Sequence, residues 1–234
     1  MNLKLLNVDS NAKTIKGQKK GYMTGVMYLA PGRTSGFEVC PMRSAGCTKA
    51  CLNTAGRGGL NMTQEARIRR TKMFIKNRKE FMLLLEREIG AVILKAKRKN
   101  MIPAFRLNGT SDIVWENIDF FGADEHHYNN IMHRFPDIQF YDYTKRHIRT
   151  GLPKNYHLTY SLAEDNDDRA KTALKNGMNV AVVFGQKAPQ RFWHRWVVDG
   201  DENDLRFLDD TVRIVALTAK GRARKDTSGF VRRM

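Results

Sequence analysis

Short apolar runs that end in polar or charged residues recur along the chain. The first, Gly-Tyr-Met-Thr-Gly-Val-Met-Tyr-Leu-Ala-Pro over residues 21–31, is rich in β-formers and is stopped by Pro-Gly, which predicts a core strand. The same form returns at 104–107, 138–145, 156–162, 179–184, 196–201 and 213–218. Between some of these runs the apolar spacing changes to i, i+3, i+4. Thr63 is placed to cap a helix that reaches about Asn100, with a break near Asn77 and a broad apolar face from Glu80 to Leu94. Residues 167–177 open on Asp and close on Asn-Gly, a second helix signature. Strands alternating with helices imply a parallel sheet. The expected fold is therefore α/β: a complete or partial (β/α) barrel in one domain over 1–234, with function at the C-terminal strand ends. Residues 1–20 read as a basic N-terminal arm and 219–234 as a basic C-terminal loop or tail.

Composition adds partners to this picture. The chain is 41% hydrophobic and 28% charged, which suits a globular body in water. No apolar run approaches the roughly 20 residues a membrane span needs, and the first residues do not form a signal peptide. A cytoplasmic location with no membrane contact is expected. The sequence sets no oligomeric state. Forty-one basic against 24 acidic residues leave a net charge of +17, an excess that favours DNA or RNA as a partner of the basic surface. The run Arg67, Arg69, Arg70, Lys72, Lys76, Arg78 and Lys79 is a candidate phosphate contact, and equally a solvated helix face. Residues 191–196, Arg-Phe-Trp-His-Arg-Trp, mix cations with aromatics, as single-strand stacking and rim packing both do. Neither a phosphate-binding glycine loop nor a twelve-residue calcium loop is present.

The chemistry of the chain concentrates in its three cysteines, Cys40, Cys47 and Cys51. Cytosolic thiols stay reduced, and clustered ones tend to bind metal. Three thiolates alone suit a [4Fe–4S] cluster with one iron open to a small ligand. Zinc would need a fourth ligand, and all six histidines lie between 126 and 194, far along the chain. Zinc with a distant fourth ligand and three unrelated buried cysteines remain as alternatives.

Polar residues at the predicted strand ends form a second candidate group. Arg106, Asn108, Asp112 and Ser161 are expected to bind a cofactor or ligand, and Asp142, Lys145 and Asp199 to act as acid, base or electrostatic partners. Tyr141, Tyr143, Asp201, Asp204 and Lys220 belong to the same set. A mouth of mixed charge suits a zwitterionic or phosphorylated ligand. Ordinary turn chemistry would also explain Asn-Gly-Thr-Ser-Asp at 108–112.

A three-cysteine loop directly after the first strand of a β/α barrel resembles the radical S-adenosylmethionine enzymes. That resemblance implies S-adenosylmethionine at the open iron and its reductive cleavage to a carbon radical. The cysteine spacing here is C-x6-C-x3-C instead of that family's usual C-x3-C-x2-C, and Asn108-Gly-Thr-Ser-Asp112 stands where it has Gly-Gly-Glu. A second set of motifs runs from Gly21 to Phe230: Gly-Tyr-Met-Thr-Gly, Cys-Pro, Ser-Ala-Gly-Cys, Thr-Ala-Gly-Arg-Gly, Arg-Leu-Asn-Gly-Thr-Ser-Asp, Phe-Tyr-Asp-Tyr-Thr-Lys, Asp-Gly-Asp-Glu and Lys-Asp-Thr-Ser-Gly-Phe. These resemble a phage-encoded three-cysteine family, gene-product-88-like, and imply a virus-encoded protein of the host cytoplasm. The expected function is radical-SAM-like redox chemistry on a nucleotide or nucleic-acid-related substrate. The alternative is a nucleic-acid-binding phage protein whose cluster or zinc is structural.

Overall fold

The apolar runs of the sequence become the strands of one large sheet. The computed structural model describes residues 3–8 and 11–233. The strands are β1 (Leu6–Val8), β2 (Tyr22–Met27), β3 (Ile102–Arg106), β4 (Phe120–Phe121), β5 (His127–Tyr128), β6 (Gln139–Thr144), β7 (Tyr156–Ser161), β8 (Val180–Phe184), β9 (Arg191–Phe192), β10 (Arg195–Asp199), β11 (Ile214–Thr218) and β12 (Val231–Arg232). The helices are α1 (Ala12–Gln18), α2 (Ala45–Lys49), α3 (Asn61–Lys76), α4 (Arg78–Arg98), α5 (Ile131–Arg134) and α6 (Asp167–Lys175). Seven strands run parallel in the order β2-β3-β6-β7-β8-β11-β10. β1 and β9 close the two edges antiparallel, and β4 and β5 form a separate hairpin.

A complete barrel is not formed: among the described residues no ladder joins the two edges. The sheet is nevertheless strongly curled. Six strand spacings separate β2 from β10, roughly 29 Å in a flat sheet. Yet Lys13 on α1, which follows β1, lies 2.9 Å from Asp201, two residues beyond β10. Leu205 packs beside Gly17 of α1, and Phe207 stacks edge-on against Tyr22 of β2. The segment after β10 thus crosses the concave side and joins the far edge with side chains where a barrel would use a ladder.

The convex side carries α3, α4 and α6. Phe74 of α3 and Phe81, Leu85 and Ile89 of α4 pack on Met23, Met27, Phe105, Phe140 and Leu158 of the sheet. α6 covers β7, β8 and β11 through Ala170, Ala173 and Leu174. The long helical stretch breaks at Asn77, as the sequence predicts. Arg67 and Arg70 in α3 are buried, so this basic run is not wholly a solvated face.

The described parts of both terminal segments carry short regular elements. In the lead-in, Leu5 and Leu6 are buried, and Asn11 caps α1 in a reciprocal box with Thr14. The C-terminal segment forms a short helical turn over Gly221–Lys225, then β12. β7 pairs with β8 only up to Ser161 and Ala181, and β12 takes the next positions, Val183 and Phe184. The segment therefore wedges between β7 and β8 at their C-terminal ends.

Candidate metal centre at the strand ends

The cysteine loop follows β2 and lies over those C-terminal ends. Ser44 starts α2, its hydroxyl accepting from the Cys47 N–H at 3.0 Å. The same hydroxyl donates to Glu164, just past β7, at 2.7 Å, and the Gly46 N–H donates to the other oxygen of that carboxylate at 2.6 Å. These bonds hold the Glu164 carboxyl below its ordinary range although burial works against them. Gly46 packs tightly here: a Cβ would sit against the Ser228 hydroxyl and 2.6 Å from the Glu164 carboxylate, so both side chains would have to shift. On the other side, the Asp112 N–H donates to Val39 and the Cys40 thiol contacts the Thr110 carbonyl at 3.6 Å. Cys47 and Ala50 pack on Ala163, Ala219, Ala223 and Phe230. The loop is thus anchored to the ends of β3, β7 and β11 and to the C-terminal wedge.

All three cysteines are free thiols of intermediate exposure. Burial pushes the Cys40 thiol up to about 12, and the neighbouring Cys51, Asp112 and Cys47 add to the rise. Burial also raises Cys51, with Cys47 adding to it and Lys145 and Arg67 drawing it back. The three sulfurs therefore share one electrostatic neighbourhood with two cations. Among the described residues, no three Cys, His, Asp or Glu side chains stand close enough together to hold a single metal ion.

Below the loop, Lys145 donates to the Ser161 hydroxyl at 2.9 Å and lies over the Phe230 ring. Asp112 accepts from the Thr144 hydroxyl and the Lys145 N–H, tying the turn after β3 to the end of β6. Further inside, Arg106 of β3 pairs with Asp204 at 2.9 Å and stacks on Tyr143 of β6. Tyr141 also points at Asp204. Asp201 binds Lys13 and Lys220, which hold its carboxyl far below the ordinary range against the effect of burial. Arg206, 1% exposed, reaches Asp209 at 3.2 Å.

The sequence profile of one family matches residues 3–234. The chain belongs to the Gene product 88 family. No curated protein and no solved structure shows significant similarity to it.

Within this Gene product 88 chain the residues singled out from sequence separate into three groups. Cys40, Cys47, Cys51, Asp112, Lys145 and Ser161 gather at the strand ends, and Arg106 faces the interior beneath them. Asn108 serves its own turn, its amide oxygen accepting from Ser111, Ile113 and Trp115. Asp142 and Asp199 lie elsewhere. The pleat that turns Tyr141 and Tyr143 inward turns Asp142 outward, where it accepts from the Asn108 N–H and the Tyr156 hydroxyl. Asp199 is exposed and caps the Asp201 N–H. Glu164, Arg67, Thr159 and Arg206 were not singled out for the site. The alternation Leu158-Thr159-Tyr160 marks Thr159 as inward-facing; no local pattern marks Arg206.

Proposed function

We propose that Cys40, Cys47 and Cys51 hold three irons of a [4Fe–4S] cluster whose fourth iron is open toward the concave side of the sheet. The observation that carries this reading is three free thiols in one electrostatic neighbourhood, on a loop anchored over the ends of parallel strands. A single tetrahedral zinc draws its sulfurs to roughly 4 Å from one another, because each lies about 2.3 Å from the metal. A cluster takes each thiolate on a different iron and tolerates wider separation. The donor set of three thiolates thus favours the cluster over zinc.

The surrounding residues suit that role. Lys145 and Arg67 offset the charge of the thiolates. Ser161 fixes Lys145, Asp112 holds the turn against Cys40, and Glu164 fixes the start of α2. A cluster bound here supplies one electron at a time to whatever the open iron contacts. The place of the cysteine loop after the first parallel strand is the feature that resembles radical S-adenosylmethionine enzymes in the sequence, and it makes S-adenosylmethionine the first ligand to test. We take the working substrate to be a nucleotide or nucleic-acid-related molecule in the cytoplasm of a phage-infected host. Anaerobically purified protein should show an electron paramagnetic resonance signal once reduced, changed by adding S-adenosylmethionine. A cluster signal that ignores the addition would remove the radical chemistry and leave the cluster.

A second reading rests on a separate observation. Lys49, Arg57, Lys72, Arg222, Arg224 and Lys225 are exposed and have no acidic partner among the described residues. The turns that carry Arg57 and the Arg222–Lys225 stretch both contact the cysteine loop's neighbourhood. In this reading the chain binds DNA or RNA there and the cluster or zinc is structural. Salt-sensitive binding that survives replacement of the cysteines in a folded protein would favour it over the enzyme.

A further inference from the structure

Among the described residues, several buried donors on the concave side have no hydrogen-bond acceptor. Thr159 is fully buried, yet its hydroxyl has no partner. Tyr143, its neighbour across the β6–β7 ladder, has an unpartnered hydroxyl. The Nε atoms of Arg106 and Arg206 make no hydrogen bond either, and Arg206 Nη1 has only its ion-pair contact with Asp209. These groups are neighbours: Arg106 stacks on the Tyr143 ring at 4.6 Å, and Tyr143 lies in the combined field of Asp204, Arg206, Arg106 and Asp209. His157 Nε2, also unpartnered, is near Arg206 and donates in one of its two tautomers.

The imbalance has a sign. Guanidinium nitrogens only donate, and hydroxyls turn to donate when an acceptor is offered. Of the carboxylates at hand, Asp204 is bound by Arg106 and Tyr141, while Asp209 stands 3.2 Å from Arg206 Nη1 as an ion pair and leaves one oxygen without a hydrogen bond, fewer acceptors than there are donors. Buried donors left unmet are costly, so native interiors supply an acceptor. We infer that the upper interior of the sheet binds the oxyanion of a ligand, a phosphate or a carboxylate, through Arg106 Nε, Arg206 Nε and the hydroxyls of Tyr143 and Thr159. The site lies one step along the strands below Lys145 and Ser161, beneath the cysteine loop. It deepens the proposed function by giving its substrate an anionic group, and it stands on donors that do not touch the cysteines.

Thermal unfolding of the full chain tests it, with inorganic phosphate, malonate and chloride compared at equal ionic strength. A saturable rise in Tm with phosphate or malonate, absent with chloride, is expected; whichever anion gives it names the ligand class. Tyr143→Phe and Thr159→Val remove only hydroxyls that have no partner. In chloride they should unfold at or above the wild-type temperature, and each should weaken the anion by about fivefold or more. Thr159→Ser should restore binding. No saturable shift with either anion overturns the inference. So does an equal shift in the Tyr143→Phe/Thr159→Val double variant, which would place the anion on exterior cations. Iron and sulfide content measured on the same samples keeps failure here separate from failure of the cluster reading.

Discussion

Gly46 carries more constraint than its size suggests. Its missing Cβ lets α2 sit on Ser228 and Glu164, and those contacts set where Cys47 lies. Gly46→Ala should cost about 1–3 kcal/mol by overpacking, read by chemical denaturation, and should lower iron retention. A variant as stable as wild type would show that the loop has slack. Asp142 offers a pH-dependent check. Burial pushes its carboxyl up to about 7, while Arg106, the Asn108 N–H and the Tyr156 hydroxyl pull it down. A folded value above the unfolded one, about 3.9, means the fold holds the proton more tightly. That stabilisation is complete below pH ~4 and is lost as pH rises through 7. Asp142→Asn mimics the protonated form, so its stability relative to wild type should climb between pH 4 and 7 by on the order of 1 kcal/mol per unit. A flat difference across that range would contradict the assignment. At this scale the sequence was legible where chemistry is dense: three cysteines within twelve positions stand out unaided. Arg206 does not, because a lone arginine in a loop gives no sign that the loop folds into the sheet's interior.

Elements bring the site together through buried ion pairs and one late strand. Arg149, in the loop after β6, pairs with Glu116 with both side chains nearly inaccessible, at 4% and 2%. Arg149→Met would strand a buried carboxylate, a loss of about 3–5 kcal/mol. Urea unfolding measures it, and a loss below ~1 kcal/mol would show the pair to be solvated. The seven parallel strands were legible from their apolar runs, since each has the length and the β-formers a buried strand needs. β1 was hidden because three residues in a Lys-rich lead-in carry no period, and its strand character comes from pairing with β2. β12 was hidden for the same reason: only the opening between β7 and β8 makes a strand of Val231 and Arg232.

The whole molecule is a curled sheet whose edges are linked by the Lys13–Asp201 pair, under a loop of three thiols and a rim of exposed cations without an acidic partner among the described residues. The alternation of strands and helices predicted the parallel order but could not distinguish closure by a ladder from closure by side chains. That distinction depends on contacts between residues nearly 190 positions apart. The charge of +17 belongs to this scale too. Any affinity for DNA or RNA should fall steeply as salt rises from 50 to 200 mM, in a filter-binding or anisotropy titration. Affinity unchanged by salt would exclude a phosphate-led surface. The central claim is the cluster. Its most direct measurement is iron and acid-labile sulfide in anaerobically purified protein, alongside the three single Cys→Ala variants. The account expects a brown protein with about four iron and four sulfide per chain, and a sharp loss of both in each variant. A colourless protein without iron or sulfide, or one zinc per chain in their place, would contradict it.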